Sequence, residues 1–206
     1  MNKIVLGSSH NPWHNLALEE LLFNQHEKGM TFYLWQNQHT VVIGKFQNAW
    51  KESKVSQLEE DEGKLARRSS GGGAVYHDLG NLNFTFITNR THYNVHRQLS
   101  VIQNAVAAYG IKAVFSGRND LTIDPTGEKF SGNAFRISQE IGMHHGTILV
   151  DVDMSKLSRY LVPSKEKLAS KGVESVRARV KNISELNPSI TIPGIKYELI
   201  QALIRE

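Results

Sequence analysis

Apolar positions recur along this chain with two periods, and each period predicts a different kind of element. Short runs rich in branched and aromatic residues at 3–6, 31–35, 40–43, 65–68, 74–77 and 82–88 read as strands, as do 112–115, 120–124, 128–135 and 143–150. Within 82–88, Phe84 and Phe86 fall on one face, while Asn83, Thr85 and Ile87 share the other. The polar stretch Gln36-Asn37-Gln38-His39 between two of the runs predicts a hairpin. Asp124-Pro125-Thr126-Gly127 predicts a turn, because proline presets one backbone dihedral and glycine supplies the other.

The helical period marks the rest. Asn11-Pro12 places a capping side chain before a proline suited to the first helical position, and Leu16, Leu18, Leu21 and Leu22 follow as an apolar stripe expected to cover a sheet, with Gly29 as the stop. A polar helix is predicted over 50–62. Its end, Glu59-Glu60-Asp61-Glu62, reads as a solvated face without a catalytic role, since the macrodipole disfavours acids there. Val95, Leu99, Ile102 and Val106 define a helix over 93–109 stopped by Gly110, and further helical runs lie at 154–160, 165–171 and 195–205. Strands outnumber helices and come as adjacent runs. The expected fold is therefore α+β: one domain over 1–206 with a mixed, largely antiparallel β-sheet flanked by helices, these lying on one face.

Composition narrows the class. A chain of 206 residues with 40% hydrophobic and 21% charged residues can bury a substantial core. No apolar run reaches the ~18 residues needed to span a bilayer, and the N-terminus MNKIVLGSSH carries neither a signal nor a transit pattern, so a cytoplasmic protein without membrane contact is expected. The net charge of +4 is spread over scattered lysines with no basic tract, which argues against nucleic acid as a partner. The absence of cysteine excludes disulfides, thiolate zinc sites and acyl transfer through a cysteine thioester.

One stretch departs from ordinary domain sequence: RRSSGGGAVYHDLGN, residues 67–81. Three consecutive glycines have nothing to pack and cost backbone entropy, but they let main chain approach a bound group and turn N–H donors toward it. Arg67 and Arg68 add positive charge beside them, a combination that suits an anion such as phosphate. A flexible turn between strands is the alternative. The segment has neither the GK[ST] of a P-loop nor the spacing of a dinucleotide turn. A second candidate is Lys129, at the start of a strand beside Ser131, Gly132 and Asn133; spacing alone favours a surface lysine, but if its strand pairs with the preceding one, it meets Asn119 and Asp120, and the Asp120 carboxylate can position the ammonium or bind Mg²⁺. His144-His145 is no metal site, because neighbours on a strand point to opposite faces; one is expected to line a pocket and the other to pack.

RRSSGGGAVYHDLGNLNFTF, GRNDLTID, EKFSGNAFR, MHHGTILV and KLASKGVESVRARVKNISEL occur in this order, and together they resemble the catalytic domain of bacterial lipoate-protein ligase A along nearly the whole chain. The resemblance implies a fold shared with biotin protein ligases and a reaction in two steps. Lipoate and Mg-ATP give lipoyl-AMP and pyrophosphate; the lipoyl group then passes to a lysine ε-amine on a lipoyl domain of a 2-oxo-acid dehydrogenase, or on the glycine-cleavage H protein. Matched residue by residue, it implies adenylate contacts at Arg68 and Lys129 and through the backbone of Gly73, Ala74, Val75 and Tyr76, a catalytic role for Lys129, and Lys129, His77 and Gly72 beside the acyl group. ATP and Mg²⁺ are the implied cofactors. The family also implies a small C-terminal accessory domain. This chain ends at Ile204-Arg205-Glu206 in a helical run without a stop signal, so that domain is expected to be absent from it or supplied separately, with the first half-reaction affected accordingly. The competing readings are an octanoyl or lipoyl transferase of the same fold that uses no cysteine, and a non-catalytic adenylate-binding module.

Overall fold

A computed structural model of the protein describes residues 2–117, 119–162 and 180–206; the helix expected over 165–171 lies outside them. The largest element is a seven-stranded sheet in the spatial order β1 (Lys3–Leu6), β2 (Met30–Trp35), β6 (Asn81–Asn89), β10 (Ile141–Leu149), β9 (Lys129–Ile137), β8 (Asp120–Ile123), β7 (Ala113–Ser116). Neighbours in it are antiparallel except β1 and β2. A three-stranded sheet has β3 (Thr40–Ile43) at its centre, parallel to β4 (Lys64–Arg67) and antiparallel to β5 (Val75–His77).

The main core lies on the Phe84 and Phe86 face of the large sheet. Helix α4 (Val95–Ala107) starts at the Asn94 cap and helix α6 (Ile192–Arg205) at the Thr191 cap. Leu99, Ile102 and Val106 of the first and Ile195, Leu199 and Ala202 of the second close over Phe32, Phe84 and Phe86, all buried. Each large apolar side chain so buried contributes roughly 1.5–3 kcal/mol, which makes this layer the main stabiliser of the sheet that carries the site.

The opposite face holds helix α1 (Pro12–Asn24), so helices flank both faces rather than one. Asn11 caps it as expected, accepting from the N–H groups of Trp13 and His14. Its inward residues are Pro12, Asn15, Glu19 and Phe23, whereas Leu21 is exposed. The leucine stripe therefore does not define the packed face. The sheet surface beneath presents Thr85 and His145, and polar groups on α1 are needed to satisfy them.

Two expectations give way to tertiary context. The runs 31–35 and 40–43 form no hairpin; they belong to different sheets. Gln36-Asn37-Gln38-His39 is instead a crossover pinned by α1, with Asn15 Nδ2 donating to Gln36 O at 2.8 Å and to Asn37 Oδ1 at 3.0 Å. The polar helix splits into α2 (Ala49–Glu52) and α3 (Val55–Glu60), because Ser53 pairs with Leu161 and Lys54 N donates to Tyr160 O. Its acidic end is only partly solvated: Asp61 accepts from Arg159 and Tyr160 of α5 (Met154–Tyr160). Among the described residues no helix is long and apolar enough to cross a membrane.

Candidate active site

Between the two sheets lies a cavity of about 350 Å³. Its floor is a single transverse row of the large sheet. Trp35 on β2 lies opposite Asn83 on β6, and Asn83 opposite Thr147 on β10; Gly132 N on β9 donates to Thr147 Oγ1 at 3.3 Å, and Gly132 lies opposite Asp120 on β8. All five residues line the cavity, and the roof is made by Gly72, Gly73, Ala74 and Val75 with Val42 and His77 of the small sheet.

The glycine segment is held from within by Arg68. Its Nη2 donates to Gly71 O and Gly73 O at 2.7 Å each, Nε donates to Gly71 O at 3.1 Å and to Ser70 Oγ at 3.2 Å, and Nη1 donates to Val42 O at 3.3 Å. Because C=O and N–H of one trans peptide point in opposite directions, the N–H groups of Gly72 and Ala74 face away from the guanidinium. Gly72 has φ +91°, and a Cβ there would stand 2.9 Å from Arg68 Nη2, so both backbone and space require glycine. At Gly71 and Gly73 a Cβ would meet no atom of the described residues within 4 Å. Burial lowers the Arg68 pKa to about 10, which leaves it charged at neutral pH. Arg67, expected to add charge to the site, points the other way. Its Nη1 donates to Gly44 O, Lys45 O and Gln47 O, since consecutive strand residues face opposite sides.

Lys129 and Asp120 meet as the strand pairing requires, with Lys129 Nζ 2.7 Å from Asp120 Oδ1. Both line the cavity and both are partly exposed, 34% and 42% by side chain, so a ligand can reach them. The ammonium folds over Gly132, where a Cβ would be 2.8 Å from Nζ. Asn119 O accepts from Asn133 N at 2.8 Å and Asn133 Nδ2 at 3.0 Å, which fixes the approach to β8. The Tyr76 side chain points away from the cavity, so a contact there would be through its backbone. Its ring is buried in the core beneath the small sheet, with ring centroids 6.1 Å from His39 and 5.5 Å from Tyr160.

The two histidines separate as their strand positions dictate. His144 is buried on the core face between Gln98 and Asn133, and burial drives its pKa down to about 3. His145 lines the cavity and joins a hydrogen-bonded chain: Nδ1 lies 2.8 Å from Glu19 Oε1, and Nε2 lies 2.6 Å from Ser70 Oγ. Thr85 Oγ1 donates to the same Glu19 oxygen at 2.6 Å and accepts from Trp35 Nε1 at 3.1 Å. These are the distances of a serine–histidine–carboxylate relay. Ser70 is nevertheless buried, accepts from Arg68 and does not line the cavity. The chain thus ties α1 and the sheet floor to the glycine roof, and Ser70 is not placed as a nucleophile. His77 lines the cavity and is kept neutral, with its pKa pushed to about 3 by burial, then by Arg68 and His145.

Residues 11–204 match the family model for the lipoyl protein ligase A/B catalytic domain. The chain belongs to that family. It is similar to a bipartite lipoate protein ligase from Thermoplasma acidophilum, described with its E2 lipoyl domain, at 28% identity and a TM-score of 0.87 over 98% of this chain and 81% of that one. P. falciparum LipL1 in complex with lipoate is 33% identical, with a TM-score of 0.85 over 100% of this chain and 61% of that chain. A lipoate-protein ligase A bound with ATP is 25% identical, with a TM-score of 0.85 over 98% of this chain and 83% of that one. The fold is that of a lipoate-protein ligase catalytic domain. Within this lipoate-ligase fold, the cavity gathers Arg68, Gly72, Gly73, Ala74, Val75, His77, Asn119, Asp120 and Lys129, and leaves out the Tyr76 side chain. Glu19, Ser70, Asn83, Trp35 and Thr147 were not singled out as site residues by sequence reasoning. The one signal for Glu19 is an acid one residue removed from the leucine stripe of α1.

Proposed function

We propose that this chain is a lipoate-protein ligase: it activates lipoate with ATP to lipoyl-AMP and transfers the lipoyl group to a lysine of a lipoyl domain. The observation that carries the reading is the meeting of a carboxylate-anchored ammonium, Lys129 with Asp120, and a bare glycine roof across one cavity. In the first step a lipoate carboxylate oxygen attacks the α-phosphorus of ATP, and the bond to pyrophosphate breaks. In the second the acceptor ε-amine attacks the acyl carbon, the bond from that carbon to the AMP oxygen breaks, and the amine loses a proton. Lys129 holds the acyl oxygen and an α-phosphate oxygen, stabilising the charge that develops as either centre is attacked. The N–H groups of Gly72 and Ala74, turned from Arg68, are suited to the phosphate, and the open space over Gly73, which lines the cavity, admits it closely. The acyl group is already activated as a mixed anhydride, so no nucleophilic side chain is needed, in keeping with a chain that has no cysteine.

The residues fit Mg²⁺ as an ion carried largely by the nucleotide. Among the described residues no three His, Cys, Asp or Glu side chains converge to hold a metal, and Asp120 is the carboxylate that lines the cavity. Asp120, with Asn119 beside it, would hold the ion, which neutralises phosphate charge when bound. The Thermoplasma ligase described with its E2 lipoyl domain supports a lipoyl domain as acceptor.

The test is a mass assay of a lipoyl domain supplied with either lipoate plus Mg-ATP or synthetic lipoyl-AMP. Lipoylation in both arms identifies a full ligase, and in the second alone a transferase. Lys129→Ala is expected to lower transfer at least about 100-fold with the fold intact. Transfer near the wild-type rate in that variant refutes the role of Lys129, and no lipoylation by wild type in either arm refutes the enzyme.

A further inference from the structure

Two residues that line the cavity each carry a buried polar atom without a protein partner among the described residues: His77 Nε2 and Asn83 Nδ2. Both are donors, and the surrounding bonds fix this. Asn37 Oδ1 accepts from Asn15 Nδ2 at 3.0 Å, so Asn37 Nδ2 donates to His77 Nδ1 at 3.2 Å and the His77 proton sits on Nε2. Asn83 Oδ1 accepts from Asn81 Nδ2 at 3.1 Å, which leaves the Asn83 amide hydrogens unused. A buried donor without an acceptor is costly, so this pair is arranged for something a ligand brings.

Their place in the floor row says which part of the ligand. Lys129 Nζ lies over Gly132; Asn83 lies two strands away across Thr147, about 9–10 Å at ordinary strand spacing, and Trp35 is one strand further. With the acyl carbon at Lys129, an extended eight-carbon acyl chain laid along the row brings its distal end to Asn83, beside His77 and Trp35, whose rings are 6.5 Å apart. Lipoate carries its two dithiolane sulfurs there, which are weak acceptors; octanoate carries only methylene and methyl groups.

We propose that Asn83 and His77 form a two-donor recognition site at the far end of the acyl bed, selecting acyl chains with acceptor heteroatoms at that depth over plain alkyl chains of the same length. The proposal rests on the acyl-adenylate reading and names the selectivity of that site. An alkyl chain leaves both donors unpaired, whereas the dithiolane offers each of them a sulfur. Because His77 stays neutral, the selection does not depend on charge at this end.

The test measures kcat/KM for transfer to a lipoyl domain from lipoyl-AMP and from octanoyl-AMP, using the full chain, with calorimetric binding of the two free acids as a readout without turnover. Wild type is expected to favour lipoyl by about ten-fold or more. Asn83→Val is expected to bring the ratio down by about ten-fold, while Asn83→Thr, of the same shape but carrying a hydroxyl donor, keeps most of it. A folding defect affects both acyl groups alike and leaves the ratio readable. The same ratio in wild type, Val and Thr variants, by kinetics and by calorimetry, overturns the proposal. Transfer of neither acyl group by wild type overturns the enzymatic reading instead, and calorimetry then still decides the selectivity.

Discussion

Asp120→Asn separates the stabilising from the functional value of the Lys129 contact. The pair is 2.7 Å apart, but its side chains are 34% and 42% exposed, so solvent screens it. Such a pair contributes at most about 1 kcal/mol to stability, and the variant should unfold within about 1 kcal/mol of wild type. The effect on transfer should be larger. A single donor to a developing oxyanion is worth about 3 kcal/mol or more, and an amine that loses its tether and wanders from the acyl oxygen forfeits part of that. Losing half, about 1.5 kcal/mol, corresponds to roughly ten-fold in kcat. Because Asp120 acts through Lys129, Lys129→Ala combined with Asp120→Asn should be no slower than Lys129→Ala alone. Single-turnover transfer from lipoyl-AMP measures this without ATP or metal. A tethering role is excluded if Asp120→Asn transfers within two-fold of wild type, or if the double variant multiplies the single effects. Restoration of the ATP-dependent arm alone by raised Mg²⁺ would identify Asp120 as acting on the ion.

Other perturbations test the roof and the buried histidines. Arg68→Lys cannot reproduce the fork that serves Gly71 O, Gly73 O, Val42 O and Ser70 Oγ; with two acceptors left unpaired at about 1–3 kcal/mol each, lipoyl-AMP binding should weaken at least about ten-fold, and unchanged affinity would mean that the clamp does not shape the roof. Gly73→Ala should leave thermal stability within about 1 kcal/mol, since a Cβ there meets no atom of the described residues, yet weaken lipoyl-AMP binding; equal affinity would place the adenylate elsewhere. His77 and His144 have pKa values lowered from 6.5 to about 3, so between these values the unfolded chain binds protons that the folded chain refuses. Stability is then full above pH 6.5 and is lost as pH falls, with a slope of up to about 1.4 kcal/mol per pH unit for each histidine. Urea titrations between pH 7 and 5 check this, and a flat profile there contradicts it.

The strands and the two helices over the main core were readable because their residues repeat at the period of the element they form. The candidate site was readable where the residues are unusual: three glycines in a row and a lysine among small polar neighbours stand out from strand and helix patterns, and the structure brings both to one cavity. What was missed depends on which surface faces which. Asn15 and Glu19 face inward because the sheet beneath α1 is polar, a fact absent from the helix's own sequence. Residues 36–39 have the composition of a turn and serve as a bridge between sheets only because α1 holds them. Arg67 and Arg68 look equivalent in sequence, and strand alternation sends them to opposite sides. Asn83 was placed on its correct face, but the lack of a partner for its amide appears only when all neighbours are in position.

A bed that runs across the strands is shortened in steps of one strand. Filling the proposed bed with a bulky residue at Thr147 would bring its far end nearer to the Lys129 amine by one interstrand distance, about 4.8 Å, at the cost of the bond that Gly132 N donates to Thr147 Oγ1. On the proposed reading, the length of acyl tail accepted would then be set from the same strand whose Thr147 Oγ1 anchors Gly132 beneath the Lys129 amine, so a change of length is coupled to the seat of that amine.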